Sequence, residues 1–275
     1  MFSKIDKSSF RETREEFFLR GKFIFRAKRH ENLAFSGKIC YTVGMNIYAI
    51  SDLHLSANAE KPMDVFGGNW EGHFEKIKAD WREKVTEEDA VLIAGDISWA
   101  MKMDGAMEDL RSLSPLPGKK VFIRGNHDYW WNGITRLRDR APDPSFFFLQ
   151  TDGVRLGEYV IVGSRGWTCP GSPDYTEQDQ KLYLREAERF RLAFETVKPL
   201  RREGDKTIAL IHYPPFNLKR EDSLFTSLFE NNGVDKVIFG HLHGPVFFPL
   251  SSEKNGVEYH LTSCDKTDFK LVKIY

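Results

Sequence analysis

Cysteine is scarce in this chain. Its 275 residues hold three, at positions 40, 169 and 264, odd in number and without Cys-x-x-Cys spacing. That excludes a disulfide framework and a zinc knuckle, and makes the reducing cytoplasm the expected location. Net charge is missing as well. Forty Lys and Arg balance forty Asp and Glu, so no large positive field exists to recruit nucleic acid or an anionic membrane nonspecifically. No apolar run approaches the roughly 20 residues of a membrane span, and no signal-peptide pattern opens the chain. The length suits one sizeable domain with or without an appendage.

Charge is nevertheless uneven. Residues 1–44 carry ten Lys/Arg against five acids and seven of the 22 phenylalanines, an excess of five positive charges that leaves residues 45–275 at −5. A basic helix bearing Phe10, Phe17 and Phe18 for a surface or a partner is one reading. Irregular apolar spacing and interleaved acids favour another, an N-terminal extension that is disordered or follows from a mis-called start, with the folded domain spanning 45–275.

From Met45 apolar strands alternate with helices. Asn46–Ser51, Ala90–Ala94 and Lys119–Ile123 read as buried strands, separated by helices over Trp70–Val85 and Met107–Leu113. The middle, Phe146–Leu149, Val154–Leu156 and Tyr159–Val162, reads as a meander or hairpin. A helix over Arg185–Val197, a strand over Thr207–Ile211, a helix over Ser223–Phe229 and a strand over Lys236–Phe239 follow. Pro245–Leu250, Val257–Leu261 and Phe269–Ile274 close the chain as strands, with Asn255-Gly256 offering type I′ turn chemistry. The pattern predicts an α/β protein of two mixed sheets packed face to face, with helices outside.

The chemistry sits where the strands stop. Asp52-Leu-His54, Gly95-Asp96, Gly125-Asn126-His127-Asp128, His212 and Gly240-His241-Leu-His243 each follow an apolar run. Any one of them alone is a turn residue or a surface histidine. Together they supply carboxylate, imidazole and amide donors at five strand ends, the set a divalent cation needs.

Taken in order, these motifs resemble the calcineurin-like metallophosphoesterase family over essentially Met45–Tyr275. The resemblance implies a four-layer αββα sandwich and a phosphohydrolase cleaving a small-molecule phosphodiester or phosphomonoester by a hydroxide bridging two metal ions. One ion would be held by Asp52, His54, Asp96 and His243, the other by Asp96, Asn126, His212 and His241, so that Asp96 bridges. Manganese is the expected metal, with iron or zinc as alternatives. His127 would be the general acid or donor at the leaving group, and Asp128 would orient the loop. The Gly-Asp motif of the protein Ser/Thr phosphatase branch runs on into a further Asp and Arg. Here it continues Ile97-Ser98-Trp99-Ala100, which disfavours that branch and leaves His127 without its orienting carboxylate.

Besides Asn126 and His127, candidate substrate contacts are Arg165, as a bidentate phosphate ligand or a surface ion pair, and Trp130 among the aromatic residues Trp99, Tyr129, Trp131 and Trp167, which either stack on a ring or pack loop tips. His73 is a candidate pocket residue. Competing functions are a non-catalytic scaffold of the same fold that binds proteins, and a nuclease, which the charge of −5 over residues 45–275 disfavours.

Overall fold

At the heart of the first sheet, strand residues sort by parity. In β1 (Ile47–Ile50), Ile47 and Ala49 face one apolar core while Tyr48 and Ile50 face another. A strand buried on both sides needs no polar face, which is why these segments read as unbroken apolar runs. The computed structural model describes residues 44–56, 63, 67–245 and 248–275. The extension expected over 1–44, apart from Gly44, lies outside the described residues.

β1 pairs in parallel with β2 (Ala90–Ile93), which pairs with β3 (Lys119–Ile123) and then β4 (Phe146–Leu149). Antiparallel β11 (Val272–Lys273) closes this five-stranded sheet beside β1. The second sheet has six strands in the order β5 (Asp152–Leu156), β6 (Tyr159–Ser164), β7 (Lys206–Ile211), β8 (Lys236–Phe239), β10 (Val257–Leu261) and β9 (Ser251–Lys254). Its four middle strands are parallel and its two edge pairs antiparallel.

Between the sheets lie Ile47, Ala49, Leu92, Val121, Ile161, Ile208 and Ile238. The outer face of the first sheet is covered by α1 (His73–Lys84), α2 (Met103–Arg111) and α3 (Ile134–Asp139) through Ile77, Trp81, Leu110 and Leu137. Ile77 and Trp81 stand four apart on one helix face, as the sequence spacing predicts. Trp81 is fully buried and its indole donates to the Pro117 carbonyl at 2.9 Å. α4 (Asp179–Val197) and α5 (Leu224–Asn231) cover the second sheet with Tyr183, Phe190, Phe194, Phe225 and Phe229. Helix, sheet, sheet, helix is the four-layer α/β sandwich expected. Among the described residues, no helix is long and apolar enough to cross a membrane.

Several expectations change. Phe146–Leu149 is a strand but not part of the meander: it pairs with β3 in the first sheet, and Phe148 stacks on Phe122 with ring centroids 5.0 Å apart. Two-sided burial of three phenylalanines outweighs the short connection to β5. The strand expected over Pro245–Leu250 includes residues 246 and 247, which lie outside the described residues; the sheet's edge strand is Ser251–Lys254, joined to β10 through Asn255 and Gly256 at φ 52° and 80°. α4 begins at Asp179, six residues before Arg185, because buried Tyr183 continues the apolar stripe of Ala187 and Phe190 toward the N-terminus. α2 begins at Met103, and the last strand shrinks to Val272–Lys273.

Candidate metal centre

Five parallel strands drawn from both sheets hand over to candidate ligands at their carboxyl ends. β1 leads to Asp52 and His54, β2 to Asp96, β3 to Asn126, β7 to His212, and β8 to His241 and His243. Leaving the strands forces a left-handed backbone at Asp52, His54, Asp96 and His241, with φ of 59°, 46°, 51° and 71°. Each such residue costs about 1–3 kcal/mol and persists only where neighbours hold it. The neighbours here are the other loops. Asp52 N–H donates to Gly95 O at 2.9 Å, His54 N–H to Asp96 O at 3.0 Å, and Gly240 N–H to His212 O at 3.0 Å. Two glycines are steric requirements: a Cβ on Gly125 would overlap Asp96 Oδ1, and one on Gly240 would overlap Ser51 Oγ.

Asp128 ties two ligand loops together. Its fully buried carboxylate accepts from Ile97 N (2.9 Å), Ser98 N (3.2 Å), Gly125 N (2.7 Å) and Trp130 Nε1 (3.1 Å). Burial, followed by the Asp96 charge, pushes its pKa up to about 7 against these donors.

The donor set faces inward with its lone pairs exposed to one another. His212 Nδ1 donates to the Ala94 carbonyl at 2.9 Å, which leaves Nε2, 2.7 Å from Asn126 Oδ1, to carry the proton that Asp96 favours or, in the neutral ring, to offer its lone pair to a cation. His241 Nδ1 reaches the same oxygen at 2.8 Å. His243 Nδ1 donates to Asp265 Oδ1 at 2.7 Å, which points Nε2 at Asp52 Oδ1, 3.2 Å away, with either a proton or a cation between them. Acceptors at such distances require a proton or a cation between them. Asp52 and Asp96 are buried, and among the described residues their ion-pair partners are histidines alone. Buried carboxylates without lysine or arginine are what a metal site leaves for its ion. These residues therefore fit a divalent cation held by oxygen and imidazole nitrogen.

Protonation in this field follows position. Burial opposes the charge on His212, yet Asp96 raises it to about 9; likewise burial opposes the charge on His243, which Asp265 and Asp52 raise to about 10. Burial lowers His54 to about 4, and burial with the His212 charge lowers His241 to about 3. Burial alone would raise Asp52 and Asp96, but the surrounding imidazoles hold both below the usual carboxylate range.

Beside the centre opens a cavity of about 430 Å³ lined by His54, Met63, Trp70, Trp99, His127 and His243, among others. His127 is fixed through its backbone N–H, which donates to Asp96 Oδ1 at 2.8 Å, and its ring packs 4.4 Å from Trp99 by centroids. Its Nδ1 is buried with no hydrogen-bond partner, and burial lowers its pKa. In the stretch where the protein Ser/Thr phosphatase branch carries a further carboxylate, this chain puts the indole of Trp99, which also stacks on His54 at 4.7 Å.

The substrate contacts fall differently. Trp130 is fully buried and its indole N–H serves Ser98 O and Asp128, so it offers no surface to a substrate. Trp131 is buried as well, donating to Gln150 Oε1. Their expected place is taken by Trp70 and Trp99. Arg165 lies on Trp167 and against Glu186, lining a different cavity. His73 props the Leu53 carbonyl at 2.9 Å, beneath the first ligand loop, and does not line the cavity beside the centre. Asp265, which fixes the His243 tautomer, escaped the sequence reading although it too follows a strand, β10, by four residues.

Comparison with known proteins agrees with this architecture. Residues 45–245 match the calcineurin-like phosphoesterase family. The uncharacterized protein MJ1445 of Methanocaldococcus jannaschii is 24% identical over 201 residues, 70% of this chain and 96% of the relative. Gene 66 protein of Mycobacterium phage D29 is 37% identical over 87 residues, 30% of this chain and 40% of the relative. Among solved structures, TT1561 of Thermus thermophilus is similar in fold, with a TM-score of 0.50 at 12% identity, covering 84% of this chain and 98% of that one. A match over most of the sequence, on a sandwich whose strand ends gather a metal-type donor set, makes this chain a member of the calcineurin-like phosphoesterase family, hydrolases that act on phosphoester bonds.

Proposed function

We propose that the chain is a metal-dependent phosphohydrolase that cleaves a small organic phosphoester, monoester or diester, in the cavity beside Trp70 and Trp99. The observation that carries this reading is the convergence of Asp52, Asn126, His212, His241 and His243 with acceptor atoms turned on one another. Asp52, His54, Asp96 and His243 would hold one ion, and Asp96, Asn126, His212 and His241 a second. Asp96 suits the shared position because its Oδ2 lies 3.9 Å from His54 Nε2 and 3.5 Å from His212 Nε2. Asp52 also reaches both sides: ligand atoms of Asp52, His54 and His243, and of Asp52, Asp96 and His212, form two groups within 4.8 Å.

A pair of divalent cations supplies an acidified water and neutralises the phosphate oxygens. The protein does the rest. Asp128 and the loop-to-loop hydrogen bonds hold the ligands in place before substrate arrives. His127, anchored on Asp96 and packed on Trp99, gives a proton or hydrogen bond to the leaving oxygen. Trp70, Trp99 and Met63 provide an apolar wall for the organic part of the ester and keep bulk water from it. Ligation by nitrogen and oxygen without thiolate suits manganese first, then iron or zinc. Buried free Cys169 and Cys264 accord with a cytoplasmic setting.

Reconstitution with Mn²⁺ should yield hydrolysis of p-nitrophenyl phosphate or bis-p-nitrophenyl phosphate that chelator removes and Asp96→Asn abolishes. Protein that holds its full metal complement and cleaves neither ester, nor any of a panel of cyclic nucleotides and nucleoside diphosphates, would refute the enzymatic reading in favour of a scaffold.

A further inference from the structure

A second cavity, about 260 Å³, lies where the end of β3 meets the end of β6 and α4, and it shares no lining residue with the cavity beside the metal centre. Its wall includes Arg124, Arg165, Arg185 and Arg189 together with Gln150 and Ser164. Among the described residues, the carboxylate paired with these guanidinium groups is that of fully buried Glu186. Its Oε1 faces Arg189 at 2.8 Å, Arg185 at 3.3 Å and Arg165 at 3.6 Å, and its Oε2 accepts from Ser164 Oγ at 3.3 Å. That acceptor is spent. Asp152, two residues beyond Gln150, is paired with Arg138.

Arg124 receives nothing. Among the described residues its side chain makes no hydrogen bond or ion pair, and its Nε is buried without a partner, as is that of Arg165. Arg165 is held in place by the Trp167 ring 4.6 Å from Cζ. Burial weakens its hold on its proton, Glu186 offsets that in part, and Arg124 and Arg185 repel it. Folding has therefore gathered positive charge around a cavity and left the Nε donors of Arg124 and Arg165 unsatisfied. Guanidinium forks match the oxygens of a tetrahedral dianion, two per fork.

We propose that this cavity binds a phosphate-class oxyanion at a site separate from the metal centre. Arg124 and Arg165 are its forks, Arg185 and Arg189 supply field from α4, and Ser164 and Gln150 border it. The occupant is either free orthophosphate or the phosphoryl group of a larger molecule. The site does not depend on the phosphoesterase reading, because none of its side chains is a ligand of the centre; its one link to the ligands is through the backbone, where the Arg165 carbonyl accepts from His212 N–H at 2.9 Å.

The test uses the full-length, Mn²⁺-loaded protein, titrated calorimetrically with inorganic phosphate in one arm and phenylphosphonate, which has no ester bond to cleave, in the other. Wild type should show two binding events, one at the metal centre that Asp96→Asn removes and one that Asp96→Asn leaves in place and Arg124→Gln weakens at least about tenfold, the loss of one charge-assisted fork. Tighter binding of phosphate than phenylphosphonate identifies a free-anion site, and the reverse a subsite for a phosphorylated compound. Without anion, Arg124→Gln should melt at a higher temperature than wild type, since it relieves repulsion that nothing else relieves. Should Arg124→Gln fold poorly, Arg124→Lys, which keeps the charge and loses the fork, should show reduced affinity. Equal affinity and stoichiometry in wild type and both Arg124 variants, with all binding lost in Asp96→Asn, would overturn the proposal.

Discussion

Replacing Asp128 by alanine removes the acceptor of four buried donors, three of them backbone N–H groups that have no alternative partner in the loops. An unsatisfied buried donor costs about 1–3 kcal/mol. A simple sum overstates the loss, because the donors relax together and the mutation also ends the burial of a carboxylate; the breaking of buried polar networks suggests about 3–5 kcal/mol net. For a domain of ordinary stability that is a large part of the total. With a urea dependence of about 2–3 kcal/mol per molar, the unfolding midpoint should fall by roughly 1–2 M. Asp128→Asn sharpens the reasoning: it keeps the oxygen that serves Ile97, Ser98 and Trp130 but sets an amide donor against Gly125 N–H. It should lose about half as much. Both variants should also bind Mn²⁺ more weakly, by about 10- to 100-fold, since the loops they loosen carry Asp96 and Asn126. A midpoint for Asp128→Ala within about 0.3 M of wild type, or equal losses in the two variants, would refute the idea that Asp128 joins these loops by accepting their hydrogen bonds.

Three further outcomes follow from the same loops and ion pairs. Asp265→Ala frees the Nδ1 side of His243 and should weaken Mn²⁺ binding about 10- to 100-fold; a metal titration with unchanged affinity would contradict the tautomer assignment. Gly125→Ala places a methyl group on Asp96 Oδ1 and should cost about 3 kcal/mol or more, read as a lower melting temperature and lost metal binding in the same variant. Arg155 donates to Asp205 at 2.9 and 2.8 Å and holds its carboxyl down at about 2. A depressed pKa gives stability that is complete above the ordinary carboxylate range and fades as pH falls toward 2, so the urea midpoints of wild type and Arg155→Gln should differ at pH 5 and draw together toward pH 3. A gap that stays constant across that range would be evidence against the pairing.

How much of this was legible follows from which interactions are local. The ligand positions announced themselves because a doubly buried strand leaves an unbroken apolar run, and Asp52, Asp96, Asn126, His212 and His241 stand directly at or beside its end. Trp81 and Ile77 declared their helix by spacing alone. β9 did not, because Ser251–Lys254 is an exposed polar edge whose pairing with β10 is supplied by the turn between them. The sheet to which β4 belongs is a non-local fact: nothing in Phe146–Leu149 distinguishes β3 from β5 as its neighbour. Trp130 misled for a physical reason, since an indole next to a motif serves equally well as a donor inside the loop and as a wall of the pocket. Asp265 was hidden because its meaning depends on a histidine 22 residues earlier.

The donor set is divided between the two sheets. Asp52, His54, Asp96 and Asn126 ride on the first, and His212, His241 and His243 on the second. The seam between them is filled by small and branched side chains such as Ala49, Ala94 and Ile208. Thickness at that seam thus sets the spacing between the halves of the centre. Enlarging Ala49 would act as a shim, parting them without touching any ligand, so preference among cations of different radius is adjustable from the hydrophobic interior.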